Sequence, residues 1–359
     1  MIRRSTFRSA VGITEEFFSG IADPAEDFRT EAEALIDEYG AALAAAGCAP
    51  EGTLLLRFHL SDAVNQYPIL KEVIRQMDLP VAVVGQAPAS GSRIALESWV
   101  WHRAPRHYEA RFFRVEESTA GDSYEQTAAE FSALDAELRA CGGSVPANAQ
   151  RTWLYCRDVD NDYAGLVAAR NDFFNTVGLR SDTHFITSTG IGGESADPAR
   201  RVRMDTLLWF GLADSQVDYL AAPNHLSPTA LYGVAFERGS RIAFGDRAHY
   251  YISGTASIDR EGRVVHPGDV RAQAGRMVEN VAVLLESGGA SLRDLRQATV
   301  YLRDGADARV VREELLRRGI PEDLPLVTVT GRVCRPSWLV EMEAVAISPT
   351  GDDRFLPLA

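Results

Sequence analysis

The sequence lacks the motifs by which metal and nucleotide cofactors are usually recognised. None of its four cysteines stands in a CxxC pair, its seven histidines form no HExxH motif, and no GxGxxG or Walker A loop is present. The sequence therefore gives no support to a zinc ribbon, a thioredoxin-type redox motif or a nucleotide site. We predict a protein that works without a metal ion or an organic cofactor.

Positive charge and long apolar runs are also scarce. The 37 basic residues, of which only Lys71 is lysine, face 50 acidic residues, so that the formal net charge is −13. Binding to nucleic acid draws mainly on Lys and Arg, and we predict no nucleic-acid partner. Apolar runs such as Thr206–Leu212 fall far short of the roughly 20 residues that span a bilayer. The basic segment Met1–Ser5 has no apolar stretch behind it and does not resemble a secretory signal, so we predict a cytoplasmic protein with no membrane partner.

The chain contains three segments that follow one plan. With 359 residues, 46% hydrophobic and 24% charged, it is an ordinary globular composition with room for several small domains. Each segment has an amphipathic helix, a glycine stop, a strand ending in Asp, a second helix and a closing pair of strands. We predict an α/β (α+β) protein with three tandem modules, at residues 8–104, 106–220 and 229–349.

The spacing inside these segments is the strongest sign of true repetition. The glycine stop and the Asp at the end of the strand are fifteen residues apart each time, in the pairs Gly47 and Asp62, Gly143 and Asp158, and Gly289 and Asp304. Strand–helix–strand echoes occur in any α/β chain, but a matched spacing is not expected of chance echoes. In the second segment we predict a closing strand at Thr183–Ser188, and a turn at the glycine-rich run Thr187–Gly193.

Glu341 is the first candidate for chemistry. It lies on a predicted strand where alternation places Glu341 and Glu343 on one face with Leu339 and Val345. Burial on an apolar face favours the neutral form of a carboxyl group, and a neutral acid can deliver a proton. The alternative is an exposed face, on which both acids only provide solubility.

The loop before this strand gathers further candidates. Arg335 offers a planar fork for a carboxylate, and Trp338 can wall a ring. Cys334 is either a small buried hydrophobic residue or a wall that steers an intermediate. It is not predicted to be a nucleophile, because no histidine is near it in sequence.

A second group of candidates lies earlier in the chain. Gly254 interrupts an apolar strand, where it permits either the close approach of a ligand or a bulge. Its neighbours Thr255 and Ala256, together with Tyr251, are predicted to contact the substrate. Arg157 and Arg170 could each bind a second carboxylate or be ordinary ion-paired residues.

These motifs carry a family resemblance. The segments Ile252–Ile258, Glu279–Asn280, Ala298–Asp304 and Val340–Ile347, together with Gln273, resemble the Rid/YjgF family. The resemblance is strong over the C-terminal third and weak over the rest. The usual family member is one module that forms a trimer, with sheets inside a ring of helices and ligand sites in clefts between modules. The resemblance therefore implies a covalently joined pseudo-trimer, which is a monomer or a dimer of pseudo-trimers.

A narrower resemblance is to the chorismatases, which split chorismate into pyruvate and a cyclic acid. Chorismatases that form hydroxybenzoate look similar in having a cysteine seven residues before the catalytic glutamate, as Cys334 and Glu341 are here. This resemblance implies a hydrolase or lyase of secondary metabolism that acts on a small carboxylic acid, with Glu341 as the general acid. The family's deaminases instead place an arginine about fifteen residues before this glutamate, where this chain has Leu326. An imine or enamine hydrolase, an enzyme that shapes an intermediate, and a non-catalytic ligand-binding protein stay as alternatives.

Overall fold

The structure, a computed structural model, describes residues 1–12, 14–115 and 119–358. These residues form three β-sheets, each accompanied by its own helices. The first module consists of β1 (Ile2–Arg8), β2 (Thr14–Ile21), α1 (Phe28–Ala46), β3 (Thr53–Leu60), α2 (Ala63–Val73), β4 (Val81–Gly85) and β5 (Ile94–Trp101). The second consists of β6 (Glu109–Arg114), α3 (Ser123–Ala140), α4 (Val145–Asn148), β7 (Ala149–Cys156), α5 (Val159–Val177), β8 (Thr187–Gly192) and β9 (Val202–Phe210). The third consists of β10 (Val217–Tyr219), β11 (Gly239–Ala243), β12 (Ala248–Ala256), α6 (Val270–Ser287), β13 (Leu295–Leu302), α7 (Ala308–Arg317), β14 (Leu326–Thr330) and β15 (Val340–Ser348).

The three sheets share one topology. Their strand orders are β1-β2-β5-β3-β4, β6-β9-β7-β8 and β10-β11-β12-β15-β13-β14. In each, a helical crossover joins a parallel pair, namely β3–β4, β7–β8 and β13–β14, and the last strand of the module pairs antiparallel with the first strand of that pair. The predicted tandem repetition is therefore confirmed.

The repeated aspartates begin the helical crossovers. Asp62 accepts a hydrogen bond from the backbone N–H of Asn65 at the start of α2, and Asp158 does so from Asn161 at the start of α5. Asp304 caps the short helical turn that leads into α7. A side-chain oxygen at this position satisfies a backbone N–H that has no partner within the helix. The fifteen-residue spacing thus measures a strand that runs from a helix end to the next helix start.

The sheets face one another, and the helices lie outside. On the outer face of the first sheet, Leu35 and Leu70 of α1 and α2 pack against Phe58 and Leu96. The second sheet is covered in the same way by α3 and α5. The inner faces meet in an aromatic core that includes Trp99, Trp101, Trp153, Trp209 and Tyr251. This arrangement confirms the predicted order of sheets inside and helices outside.

Two sequence boundaries differ from the structure. The first sheet already includes Ile2–Arg8, which precedes the predicted start of its module at residue 8. Val217–Tyr219 falls within the predicted second module, 106–220, but it pairs with β11 and belongs to the third sheet. The predicted limits were drawn from repeat spacing, which does not register edge strands that are added to a sheet.

The closing strand of the second module also lies later than predicted. β8 runs from Thr187 to Gly192, with Arg151 opposite Thr187 and Cys156 opposite Gly192, so the glycine-rich run is strand and not a turn. Glycine at position 192 permits close contact with the third module, because a Cβ on Gly192 would lie 2.6 Å from the backbone nitrogen of Arg332. Close approach between modules is a tertiary constraint that turn propensity cannot reveal.

The part of the chain that the structure describes has neither a membrane-spanning helix nor a cluster of metal-ligating side chains. None of its helices is long and apolar enough to cross a membrane. Across residues 1–12, 14–115 and 119–358, no group of three or more His, Cys, Asp or Glu side chains is arranged to hold a metal ion.

Candidate active site

A cavity of about 150 Å³ lies between the second and third modules. The second module contributes α5 and β8, and the third contributes β12, β15, the loop before β15 and the segment before β11. The lining residues are Tyr163, Arg170, Ser188, Gly190, Val234, Phe236, Arg238, Gly254, Ala256, Ile258, Cys334, Arg335, Trp338 and Glu341. Positively charged groups outnumber negatively charged ones in this lining, since three guanidinium groups, one thiol and one phenol accompany a single carboxyl group.

That carboxyl group, on Glu341, is buried and keeps a proton near neutral pH. β15 carries it between β12 and β13, opposite Ala256 and Tyr301. Burial, followed by the negative charge of Glu343, raises its pKa to about 8, although Arg238 and Arg151 oppose the shift. No hydrogen bond to its side chain is formed by the residues that the structure describes. A neutral acid that faces a cavity can donate its proton to a bound molecule.

Gly254 makes the space that this carboxyl group occupies. A Cβ on Gly254 would overlap with Oε1 of Glu341, so a larger residue here would displace the carboxyl group. The pairing of β12 with β15 shifts register between Ile252 and Thr255, which marks a bulge at Gly254. The bulge turns the N–H of Gly254 toward the second module, where it donates to Oγ1 of Thr189 at 2.9 Å.

Cys334 and Tyr163 meet beside Glu341 and come from different modules. Both side chains line the cavity. Burial and then the charge of Glu341 raise the pKa of the Cys334 thiol to about 12. Burial also raises the pKa of the Tyr163 hydroxyl well above its ordinary value. Both groups are therefore neutral at physiological pH, and a thiol in this state is a poor nucleophile.

Three arginines supply positive charge around the cavity. Arg170 projects from α5 and is buried, as is Arg238, whose Nε and Nη2 donate to the carbonyl of Ser227 at 3.3 and 3.1 Å. Arg335 donates to the carbonyl of Gly262 at 2.8 Å. Guanidinium groups with some N–H groups held by backbone carbonyls are pre-oriented donors for a carboxylate.

The loop that carries Cys334 and Arg335 is tied down from below. Arg303, at the end of β13, donates to the backbone carbonyls of Val333, Arg335 and Trp338. The Trp338 indole N–H donates to the carbonyl of Ser257 at 2.9 Å, and the Arg335 guanidinium lies over its ring. Its ring is thereby held as a rigid wall of the cavity.

The structure brings most of the candidate residues together and places three of them elsewhere. Glu341, Cys334, Arg335, Trp338, Gly254, Ala256 and Arg170 all line this cavity. Thr255 points to the other face of β12 and donates to the carbonyl of Ser253. Tyr251 lies in the central core, where its hydroxyl accepts from the Trp209 indole at 3.1 Å. Arg157 is half-buried at the end of β7 and does not line the cavity.

Tyr163 and Arg238 are cavity residues that the sequence did not suggest. Tyr163 stands seven residues before Arg170 on α5, so the two lie on one face, and this spacing could have been noticed. Arg238 precedes β11 in an irregular segment, where no periodicity marks it. Ser188 ends the predicted closing strand Thr183–Ser188, where nothing in the sequence marks it as a site residue, and Gly190 lies in the run predicted to be a turn.

The same position in the other two modules carries no acid. The pairs Leu302–Val340, Cys156–Val202 and Leu60–Ile94 are equivalent, since the first member of each lies two residues before the repeated Asp. One residue further along the closing strand stands Glu341 in the third module, Arg203 in the second and Ala95 in the first. The cleft between the second and third modules is thus the one whose closing strand supplies a carboxyl group at this position.

The comparisons with known proteins agree with this picture. The family model described as Endoribonuclease L-PSP matches residues 240–348. The chain is 32% identical over 97 residues to 3-aminoacrylate deaminase RutC of Acinetobacter baylyi, a match that covers 27% of this chain and 76% of the relative. It is 28% identical over 223 residues to 3-hydroxybenzoate synthase of Streptomyces hygroscopicus, a match that covers 55% of this chain and 63% of that protein.

A solved structure extends the likeness to most of the fold. A crystal structure of chorismatase superposes with a TM-score of 0.64 at 21% sequence identity, covering 82% of this chain and 93% of that one. The likeness concerns the fold, because the identity is low. Together with the matched module and the three-sheet architecture, these comparisons show that the chain belongs to the Rid/YjgF (endoribonuclease L-PSP) family and has a chorismatase-like form.

Proposed function

We propose that the cavity between the second and third modules acts on chorismate or a similar cyclic carboxylic acid and releases pyruvate, with Glu341 as the general acid. The observation that carries the proposal is the neutral Glu341 carboxyl group, buried and facing a cavity that also presents three arginines. The likeness to 3-hydroxybenzoate synthase and to chorismatase supports the choice of substrate.

The charges suit a ligand with more than one carboxylate. Arg170 and Arg238 belong to different modules, and Arg335 belongs to the loop that hydrogen bonds from Arg303 hold in place. Chorismate carries a ring carboxylate and an enolpyruvyl carboxylate, which such donors would hold at separate points. Trp338 and Phe236 provide flat apolar surface for the ring.

The proton of Glu341 starts the proposed reaction. It passes to the methylene carbon of the enolpyruvyl group, so that a C–H bond forms and the carbon bearing the ether oxygen becomes oxocarbenium-like. Water adds to that carbon, loses its proton to the Glu341 carboxylate, and the resulting hemiketal breaks into pyruvate and the ring alcohol. In the alternative course, the neighbouring ring hydroxyl adds in place of water and gives its proton to the Glu341 carboxylate, which forms a cyclic ketal. The ketal C–O bond to one ring oxygen breaks and that oxygen takes up a proton, the ring C–O bond to the other oxygen breaks to release pyruvate, and the ring loses a C–H proton to become a hydroxybenzoate, with no net consumption of water.

Cys334 and Tyr163 form a wall in this scheme. Both are neutral, so they offer shape and a weak donor to the ring rather than a covalent intermediate. The choice between the two courses would depend on how such walls exclude water from the oxocarbenium carbon.

The deaminase chemistry of other family members is less well supported. It relies on an arginine that this chain replaces by Leu326 on β14. The strand that lines the cavity is β8, and the register of the parallel pairs places Ser188 at the equivalent position. Neither residue can pair with a substrate carboxylate as an arginine does.

The test is incubation of the protein with chorismate. Pyruvate is followed by a coupled dehydrogenase assay, and the ring product is identified by chromatography and mass spectrometry. Release of equal amounts of pyruvate and one ring acid would support the proposal. A ligand-induced rise in melting temperature with no pyruvate would instead favour a binding protein.

Two arginine variants sharpen the test. Arg335→Gln removes a charged donor from the cavity, and we expect KM for chorismate to rise about tenfold to a hundredfold, as charge-assisted hydrogen bonds suggest. Arg157→Gln is the matched control, because Arg157 lies outside the cavity, and its KM should stay within about twofold of the parent value. Equal effects of the two substitutions would contradict the assignment of the cavity.

A further inference from the structure

Glu341 and Glu343 lie two residues apart on one face of β15, but only one of them is paired. The Glu343 carboxylate accepts from Nη2 of Arg151 at 2.7 Å and from the indole N–H of Trp153 at 2.7 Å. Both donors come from β7 of the second module. Glu341 receives no such donor among the described residues and faces the cavity.

The same guanidinium group also holds the bulge of β12. Arg151 donates to Oγ1 of Thr189, which in turn accepts the N–H of Gly254. Its Nη1 reaches Oγ of Ser253 at 3.4 Å, and that hydroxyl accepts the N–H of Ser188. Arg151 is therefore the common partner of the second acid and of the backbone that makes room for the first.

Two buried acids this close together cannot both be ionised unless a cation compensates one of them. Arg151 is fully buried and lies over the Trp153 ring, so its charge is not screened by water. Without it, Glu343 would be a buried carboxylate whose remaining hydrogen-bond donor is the Trp153 indole N–H, because the nearby cation Arg57 is already shared with Glu97 and Asp205. Glu343 would then compete with Glu341 for a proton.

We propose that Arg151 of the second module is a positioning residue, which keeps Glu343 ionised and the Gly254 bulge closed so that Glu341 is the one acid that carries the proton. The inference rests on the proposed function of Glu341, and it adds that the acid of the third module depends on a cation supplied by the second. The other titratable or charged groups around Glu341 are Tyr163, Arg170, Arg238, Tyr301, Cys334 and Arg335. None of them contacts both Glu343 and the Gly254 anchor in the described residues.

Three substitutions separate the two tasks of Arg151. Arg151→Met removes the charge and both anchors, Arg151→Lys keeps the charge but loses the fork, and Thr189→Val removes the Gly254 anchor while leaving the ion pair. Each is compared with the parent by infrared spectroscopy of protein carrying isotopically labelled glutamate, which counts protonated buried carboxyl groups and needs no substrate. Thermal melting reports whether each variant folds.

We expect one protonated buried glutamate in the parent at pH 7, and its signal should disappear in Glu341→Gln. Arg151→Met should show a second such signal, which the added substitution Glu343→Gln removes. Arg151→Lys and Thr189→Val should each keep a single signal. If Arg151→Met does not fold, the double variant with Glu343→Gln, which lacks the unpaired charge, should fold and show the signal of Glu341 alone.

Turnover gives the second readout. With chorismate, kcat of Arg151→Met should fall at least tenfold and the midpoint of its pH profile should differ from that of the parent, because the variant loses a cation that lowers the pKa of Glu341 and changes the charge of Glu343, which raises it. Thr189→Val should lower kcat without moving the midpoint. A folded Arg151→Met variant with one carboxyl signal and the parent pH profile would overturn the inference. If the parent does not consume chorismate, the proposed function fails, and the infrared count still decides the role of Arg151.

Discussion

The buried acids of this protein differ in what surrounds them, and this difference identifies the reactive one. Glu97 is buried like Glu341, and burial alone would raise its pKa. Arg57 and His59 outweigh burial and lower the pKa of Glu97 to about 2. Glu15 likewise meets Arg247 and His249, which outweigh its burial and lower its pKa. Glu341 keeps the raised pKa that burial causes, because no cation among the described residues forms a hydrogen bond with it. The sequence could place Glu341 on a buried face, but it could not show which acids have partners, since those partners come from other strands and, for Glu15, from another module.

The substitution Glu341→Gln tests the role of the acid directly. The amide keeps the shape of the side chain but has no proton to transfer to carbon, so we expect turnover to fall by roughly two to four powers of ten. KM for the substrate should change little, because the amide still fills the site. A variant that folds and retains turnover close to that of the parent would make Glu341 a structural residue.

The raised pKa of Glu341 also predicts how stability depends on pH. The folded state holds its proton up to about pH 8, whereas an unfolded chain releases it near the ordinary value of 4.5. Between these values the folded state binds more protons, so this group's contribution to stability falls as pH rises. Glu341→Gln should therefore be more stable than the parent at pH 8, by a few kcal/mol at about 1.4 kcal/mol per pKa unit, and the gain should vanish near pH 4. Melting curves across this range check the trend, with the exposed Glu26→Gln as the control that shows none of it.

At the scale of elements, the site depends on one irregular strand. At the β12 bulge, Gly254 lines the cavity. Its N–H bonds to Thr189 of β8, and the neighbouring Ser253 accepts from Ser188, so that the bulge is fixed to the second module. The sequence showed Gly254 as an interruption of an apolar strand, which is compatible with either a ligand or a bulge. The structure has a bulge at Gly254 that lines the cavity. The sequence cannot distinguish a bulge from a ligand contact, because the bulge is held by β8 of another module.

A methyl group at Gly254 should disturb the acid more than the fold. In Gly254→Ala the new Cβ would clash with Oε1 of Glu341 and lie 3.0 Å from Cγ2 of Thr189. The carboxyl group, at the end of a flexible side chain, can swing away, so we expect turnover to fall about tenfold or more and the melting temperature to drop by only a few degrees. The control is Gly40→Ala on α1, where a Cβ meets nothing within 4 Å, and its turnover should equal that of the parent. Unchanged turnover in Gly254→Ala would show that the carboxyl group does not need its present position.

At the scale of the whole molecule, the repeat spacing predicted the architecture but not the asymmetry of its interior. Two residues after the position of Glu341, each closing strand carries an acid: Glu97, Asp205 and Glu343. On the inner faces of the sheets these acids form ion pairs with Arg57 and Arg151. Arg57 also reaches Asp205 of the second module, and Arg151 reaches Glu343 of the third, which no local pattern in the sequence records. Since the inner faces of the three sheets already cover one another, we propose that the protein is a monomer or a dimer of such units, and sedimentation velocity can decide between them.

The last prediction follows from the unequal clefts. The three modules are equivalent in topology, but the position of Glu341 holds Arg203 in the second and Ala95 in the first. Among these three positions of the described chain, only that of the third module carries an acid, and this acid lies beside arginines. We expect calorimetric titration with a non-reactive ring dicarboxylate to give one binding site per chain, and Arg335→Gln to weaken that site. A crystal soaked with the same ligand should place it against Glu341 and Trp338. Three equivalent ligands per chain would contradict the prediction, and so would one ligand bound beside Ala95 or Arg203, because the divergence of the closing strands would then have no bearing on where the protein binds its substrate.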